Sequence, residues 1–145
     1  MKNLLFIILT IFISGNLFAQ STPEEMFDTF FEEYKEDPNK AIDYIFSKNT
    51  WILESEDTSE IKNLLNKLTV DFVGNYIGYD LMVEKVISGR FVLLSYLVRY
   101  DRQPFRFTFQ FYKPDNEWMF FKFLLDDELF QEIEKSAELY FLDLD

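Results

Sequence analysis

The sequence predicts an α+β fold: N-terminal helices packed on a curved antiparallel sheet of about four strands, with a short C-terminal helix. After residue 20, apolar residues first recur at helical spacing and later alternate with a period of two. The strongest signal is the hairpin from Pro104 to Leu125, where alternating phenylalanines, a Lys-Pro-Asp-Asn-Glu turn and a second apolar run follow one another. Helices followed by an antiparallel meander are typical of α+β domains.

Residues 1–19 have the pattern of a secretory signal peptide. Lys2 forms a basic start, an apolar region runs from Leu4 to Ile13, and the expected cleavage site follows Ala19. A membrane anchor is the alternative, but the apolar region is shorter than the roughly 20 residues that span a bilayer. We therefore expect an exported protein, periplasmic or secreted, with no stable membrane insertion after cleavage and with residues 20–145 forming a single domain.

The composition excludes several classes of function. The chain has no Cys and no His, and its 14 basic and 26 acidic residues give a formal net charge of −12. Thiol catalysis, Ser-His-Asp triads and metal sites built on thiolate or imidazole are therefore impossible. The negative charge repels phosphate backbones, so nucleic acid binding is not expected. Neither a cofactor nor a metal is predicted.

The first helix is predicted to begin at Thr22. Thr22 suits the N-cap, Pro23 suits the first helical position, and Glu25 is spaced to complete a capping box. The apolar face that follows has helical spacing and consists of Met26, Phe27, Phe30, Phe31 and Tyr34.

Two more helices are predicted before the sheet. Asp37 and Pro38 end the first helix and begin a short second one. A polar segment, residues 55–59, precedes the third, for which Asp57 and Glu60 are spaced as a capping box. The predicted inner faces are Ala41, Ile42, Ile45 and Phe46 in the second helix and Ile61, Leu64, Leu65 and Leu68 in the third.

Four strands and a last helix are predicted for the second half of the chain. The passage around Gly74 and Gly78 is ambiguous and stays unassigned. Asp126, Asp127 and Glu128 place negative charge at the start of the last helix, where the helix dipole favours it. The strands are predicted near Leu81–Ile87, Phe91–Tyr100, Phe105–Tyr112 and Trp118–Leu125.

This order of elements, the long paired strands and the Tyr-Lys-Pro-Asp-Asn-Glu-Trp hairpin resemble the nuclear transport factor 2 like superfamily, the cone-shaped fold shared with ketosteroid isomerase. The resemblance covers roughly Thr22 to Ile133. It implies an apolar pocket between sheet and helices, and dimerisation. It also implies chemistry by an Asp base and a Tyr oxyanion donor, but neither Asp71 nor Asp80 matches a catalytic position, so no catalytic residue is assigned.

A ligand pocket between sheet and helices is the first candidate site. Apolar walls with a few convergent polar groups are typical of small-molecule sites. The polar groups are predicted to come from Tyr96, Arg99, Tyr100 and Arg106. The alternative is a phenylalanine-rich core with no cavity.

The second candidate is an exposed sheet face that binds another copy of the chain. Strand Phe91–Tyr100 is apolar on both faces, and one layer of helices covers only one of them. By strict alternation, Trp118, Phe120 and Lys122 share the open face, which predicts a homodimer. The alternative is that the C-terminal helix or the tail, residues 140–142, covers this face.

An acidic row lies along the first helix at a spacing of four: Glu24, Asp28, Glu32 and Glu36. Such a row can bind a basic partner or calcium. A solvated helix face is favoured, because no loop with calcium-ligand spacing accompanies it.

The function predicted from these observations is an exported, non-enzymatic binding domain for an apolar small molecule or a partner protein. The alternatives are a cone-fold enzyme that uses Tyr and Asp for proton transfer, and a purely structural or interaction dimer.

Overall fold

The computed structural model describes residues 21–53 and 57–142 and confirms the α+β class. Helices precede an open antiparallel sheet with strand order β1-β2-β3-β4, and a helix follows it. The predicted signal peptide lies outside the described residues. The elements are α1 (Pro23–Glu36), α2 (Pro38–Phe46), α3 (Thr50–Leu53), α4 (Asp57–Asn66), α5 (Val70–Val73), β1 (Tyr76–Ile87), β2 (Phe91–Tyr100), β3 (Phe105–Tyr112), β4 (Met119–Asp126) and α6 (Leu129–Leu142).

The predicted capping signals form as expected at the first two helices. The Thr22 hydroxyl accepts a hydrogen bond from the Glu25 N–H, and the Glu25 carboxylate accepts one from the Thr22 N–H. Asp37 ends α1 and caps α2, where its side chain accepts a hydrogen bond from the Asn39 N–H. These bonds satisfy amide groups that a helix start leaves without intrahelical partners. Local sequence therefore determines where both helices begin.

The core lies between α1, α2 and the sheet face that carries the β3 phenylalanines. Phe27 of α1 stacks on Tyr96 of β2 with ring centroids 3.8 Å apart, and Phe30 meets the edge of Phe109 at 4.9 Å. Residues that follow one another with period two along β3 are all buried there: Phe105, Phe107, Phe109 and Phe111. Aromatic rings thus fill the space between α1 and the sheet.

β1 starts at Tyr76 rather than near Leu81, so the strand includes part of the passage that stayed unassigned. Tyr76 and Tyr79 pack on Phe31 of α1, at 6.5 and 4.1 Å between ring centroids. Gly74 turns the chain from α5 into β1 with a φ of +87°, which glycine adopts without a Cβ clash. Contacts distant in sequence therefore define the start of this strand.

A β-bulge in β4 changes the alternation expected for this strand. The register passes from Gln110↔Lys122 to Phe111↔Phe120, so Phe121 is an extra residue. Phe120 is fully buried against the helices, whereas Lys122 shares the opposite face with Gln110. The expectation that Phe120 and Lys122 share the open face is corrected by this bulge. Trp118 precedes β4 and is half-buried.

The last helix, α6, is attached to the domain mainly through its first turn. Leu129 is buried, whereas residues 130–139 are all exposed. The described part of α6 contacts the sheet through Leu129 and through the pairing of Glu132 with Arg106; the side chains at 140–142 lie outside the description. Within the described ranges, none of the helices has the length and apolar character needed to cross a bilayer.

Candidate functional site

A groove lies at the free edge of β4, and we call it the β4 groove. Its volume is about 450 Å³, within the range of roughly 300 to 1,000 Å³ typical of ligand sites. α2, α3 and α4 form one wall and β4 forms the other. The lining residues are Phe46, Ile52, Glu60, Ile61, Leu64 and Phe120 to Leu125.

Asn49 fixes the helical wall to the strand. Its Nδ2 donates a hydrogen bond of 2.8 Å to the carbonyl oxygen of Phe120, and its Oδ1 accepts one of 3.0 Å from the Trp51 N–H. The Phe46 ring packs against the Phe120 ring at 5.0 Å between centroids. α2 and the start of α3 are thereby held beside β4, the last strand of the sheet among the described residues.

α4 forms the far side of the groove and is held to α2 by polar contacts. Lys62 pairs with Asp43 at 2.5 Å, and Asn39 donates to the side-chain oxygen of Asn66 at 3.1 Å. These contacts lie on the surface and orient α4 without filling the space between Leu64 and β4.

The groove is apolar with one charge of each sign in its lining, Glu60 and Lys122. Leu64 is 38% exposed and Phe121 is 50% exposed, so the apolar lining is in contact with solvent. Trp51 precedes Ile52, a lining residue, and is 86% exposed. The arrangement is suited to holding an apolar group, because covering this surface removes it from water.

Two of the four residues predicted for an interior pocket, Tyr96 and Tyr100, face the helices and are part of the core. Tyr96 stacks on Phe27, and the Tyr100 hydroxyl lies 2.5 Å from the Tyr34 hydroxyl, its hydrogen-bond partner. Burial raises the pKa of Tyr100 to about 12, partly offset by the hydrogen bond with Tyr34, and burial also raises the pKa of Tyr34 and Tyr96. These hydroxyls stay protonated at neutral pH.

The other two, Arg99 and Arg106, lie on the opposite sheet face. Arg99 pairs with Asp80 at 2.7 Å. Arg106 binds Asp126 of β4 through Nε at 3.0 Å and Glu132 of α6 through both terminal nitrogens at 2.7 and 2.9 Å. Hydrogen bonds to Glu132 and Asp126 raise the pKa of Arg106. The sheet thus separates the four residues into two pairs.

The acidic row of α1 lies beside a second, smaller cavity. This cavity has a volume of about 320 Å³ and is bordered by Asp28, Glu32 and the rings of Tyr76 and Tyr79, among others. Burial raises the pKa of Tyr79, and the charges of Asp28 and Glu32 raise it further. Among the described residues, no cluster of three or more metal-ligating side chains occurs.

Sequence reasoning did not identify the β4 groove. Ile61 and Leu64 were assigned to the inner face of a helix, together with Leu65, and of these three only Leu65 is fully buried. A helical stripe indicates which side is apolar, but it does not distinguish a residue packed in the core from one that lines a groove.

Comparison of the chain with protein-family models, with curated proteins and with solved structures found no match.

Proposed function

We propose that this protein is an exported binding domain that holds an apolar small molecule in the β4 groove and carries out no chemistry of its own. The observation that carries the proposal is the groove itself, with a volume of about 450 Å³ and a mainly apolar lining that is partly open to solvent. Apolar cavities with a few polar groups are the usual form of small-molecule sites.

The ring packing between α1 and strands β2 and β3 favours the β4 groove over a ligand site beside Tyr96 and Tyr100. Rings from α1 contact rings of β2 and β3 throughout the core, as in the contact of Phe31 with Phe107 at 6.2 Å. The Tyr34 and Tyr100 hydroxyls pair with each other, so neither is directed at a ligand. A ligand in the groove would contact Ile61 and Leu64 on one side and the β4 side chains on the other.

The charged residues of the lining restrict which polar or charged groups a ligand can have at its ends. Lys122 and Glu60 both border the groove, and an ammonium or a carboxylate at its mouth favours a polar or oppositely charged group there. The proposed ligand has an apolar body long enough to contact both walls and one polar end that stays near solvent.

A second candidate is a partner protein that inserts apolar side chains into the groove. The 86% exposure of Trp51 favours it, because exposed tryptophans beside apolar pockets are frequent anchors of protein interfaces. Proton transfer by Tyr and Asp has no comparable support. We also propose a relationship to the nuclear transport factor 2 like superfamily, because helices precede a four-stranded antiparallel sheet in this chain.

The test is a fluorescence titration with the neutral apolar probe N-phenyl-1-naphthylamine. We expect saturable binding to the wild-type protein and at least about tenfold weaker binding to Leu64→Glu, because the new carboxylate must be desolvated when the groove is filled. Val70→Glu is the matched control, since Val70 is 60% exposed in α5 and does not line the groove.

The same proteins are then studied by native mass spectrometry after purification from the exported fraction of their own cells. Extra mass on the wild type and its loss in Leu64→Glu support the small-molecule proposal. Equal probe binding by Leu64→Glu and wild type, with circular dichroism showing both folded, would overturn it. If the wild type shows neither saturable probe binding nor extra mass, the small-molecule proposal is replaced by the second candidate, a protein partner.

A further inference from the structure

β1 is the first strand of the sheet, and its free side has no partner among the described residues. The strand order β1-β2-β3-β4 places a neighbour on one side of β1 only. Along residues 76–86, no other described segment forms a backbone hydrogen bond with this side. Alternate residues of an edge strand direct their N–H and C=O groups away from the sheet. The 12 residues of β1 therefore offer about six for pairing with another chain.

β1 lacks most of the features that protect a free strand edge. Natural edge strands are commonly short, contain proline or carry several lysines. β1 contains no proline and a single lysine, Lys85. A bulge at Met82 interrupts its pairing with β2 once, and every residue from Asp80 to Ile87 is exposed. The free side of β1 is therefore accessible to an added strand.

The inner sheet face, which packs on α1, carries exposed apolar side chains at this edge; the opposite face is the outer sheet face. Leu81 and Val86 belong to the inner face by register with Tyr96 and Val92. They are 51% and 55% exposed. Covering them with the side chains of an added strand removes apolar surface from water.

α1 runs alongside β1 in the opposite direction. Phe27 meets Tyr79 at 5.1 Å between ring centroids, and one and a half turns later Tyr34 meets Tyr76 at 5.5 Å. Phe31, between them, stacks on Tyr79 at 4.1 Å. A strand added to the free side of β1 would therefore also lie beside α1.

Glu84 of β1 extends the acidic row of α1 at this edge. It lies on the inner sheet face by register with Leu94. Burial raises the pKa of the Tyr96 hydroxyl, and nearby carboxylates raise it further. These carboxylates include Asp28, Glu24 and Glu84, so α1 and β1 place negative charge around the same ring.

The carboxylates at this edge are not neutralised by the described part of the chain. None of the four forms an ion pair with a described residue: Glu24, Asp28, Glu32 and Glu84. Lys35 borders the smaller cavity with Asp28 and Glu32, so four negative charges stand against one positive charge on the inner side of the edge. This surplus attracts a basic partner and disfavours an acidic one.

The spacing of the acidic row matches that of a β-strand. Residues four apart on a helix are separated by about 6 Å along its axis. Side chains on one face of a strand are separated by about 6.8 Å. Basic residues at every second position of an added strand can therefore reach successive members of the row, Glu24, Asp28 and Glu32.

We propose that the free side of β1 binds an extended segment of another protein in which lysine or arginine alternates with apolar residues. Main-chain hydrogen bonds to β1 supply affinity, and the alternating side chains supply specificity. The basic side chains lie on the inner face beside the acidic row, where their aliphatic stems cover Leu81 and Val86. The apolar side chains lie on the outer face beside Val83, which is 38% exposed and on that face by register with Ser95.

This site is separate from the β4 groove, because neither α1 nor β1 contributes a lining residue to that groove. The probe is a dye-labelled, seven-residue peptide with lysine at the odd positions and valine at the even ones, and binding is measured by fluorescence anisotropy. We expect saturable binding that weakens as salt is added. The same peptide with glutamate in place of lysine is expected not to bind.

Two double variants test the role of the acidic row. Asp28→Asn/Glu32→Gln is expected to raise the dissociation constant of the lysine peptide about 5- to 30-fold, because two exposed ion pairs are lost. Glu134→Gln/Glu138→Gln is the matched control. It removes the same charge from exposed positions of α6, beyond β4 at the other end of the sheet, and is expected to leave the affinity unchanged. Circular dichroism confirms that both variants are folded.

Two further measurements test strand pairing itself. N-methylation of the valines, or of the lysines in a second peptide, removes the amide donors from one side of the peptide strand. We expect one of these peptides to bind at least about tenfold more weakly than the other. Amide hydrogen exchange followed by NMR is expected to slow at alternate residues of β1 when the lysine peptide is bound.

Absence of binding by the lysine peptide, or equal binding of the lysine and glutamate peptides, would overturn the proposal. So would an unchanged affinity in Asp28→Asn/Glu32→Gln. Unchanged exchange rates in β1 with the peptide bound would overturn it as well, because the peptide would then be held by charge alone. Exchange in β1 that slows as the concentration of the free protein rises would assign this edge to a second copy instead.

Discussion

The buried tyrosine pair that connects α1 to β2 allows a quantitative prediction. Tyr34 and Tyr100 are 4% and 8% exposed, and their hydroxyls are 2.5 Å apart. Tyr34→Phe removes one hydroxyl and leaves the other buried without its partner, which costs about 1–3 kcal/mol. Tyr100→Phe does the same from the other side. Replacing both removes the buried polar groups together, and the double variant is expected to lose about 1 kcal/mol or less.

These values imply that the double variant is at least as stable as either single variant, and that the two single losses together exceed the loss of the double variant by a coupling energy of about 1–5 kcal/mol. Urea denaturation followed by circular dichroism measures the four free energies of unfolding, and equal m-values show that the denatured states are comparable. Tyr112→Phe is the control, because Tyr112 is 40% exposed on the other sheet face; its free energy of unfolding is expected to change by less than about 0.5 kcal/mol. A loss of unfolding free energy in the double variant equal to the sum of the two single losses would refute the reasoning.

Three further predictions concern the edge of β4, the entry to β1 and the base of α6. Asn49→Ala leaves a buried carbonyl of β4 without its donor and is expected to cost about 1–3 kcal/mol; a urea midpoint equal to that of the wild type would contradict this. Gly74→Ala is expected to lower the melting temperature more than Gly89→Ala. Both glycines have a positive φ, but only the Cβ added at Gly74 would lie 2.6 Å from another side chain. Equal decreases in melting temperature would contradict the steric argument. Hydrogen bonding to Arg106 lowers the pKa of Glu132. The stabilisation that this ion pair gives the fold is therefore fully present above the ordinary pKa of 4.5 and is lost as the pH falls through the lowered pKa. The difference in unfolding free energy between wild type and Arg106→Gln must shrink in acid, and a difference that stays constant with pH would exclude this pairing.

Local signals were sufficient for the elements whose boundaries depend on neighbouring residues. The capping box from Thr22 to Glu25, the cap at Asp37 and the alternation of Phe105–Tyr112 each involve residues a few positions apart, and the structure confirms each of them. The start of β1 could not be predicted in this way. It depends on Phe31 of α1, which is distant in sequence.

The candidate sites were less predictable, because their composition depends on which face each side chain occupies. A strand pattern shows that Tyr100 and Arg99 lie on opposite faces, but it does not show which face the helices cover. The bulge that moves Phe121 to the outer face is set by pairing with β3, and nothing in the local sequence of β4 marks it. A single inserted residue exchanges the faces of all residues on one side of it.

The sequence alone determined the α+β class, the first helix boundaries, the four-strand meander and the exclusion of thiol and imidazole chemistry, because these follow from residue type and short-range spacing. The tertiary structure alone decided that the rings of α1 pack on those of β2 and β3, that an apolar groove lies at the β4 edge, and that α6 extends from the domain with its apolar side exposed. The physical reason is that cavities and exposed faces are what remains after packing, and packing is the sum of contacts between residues far apart in the chain.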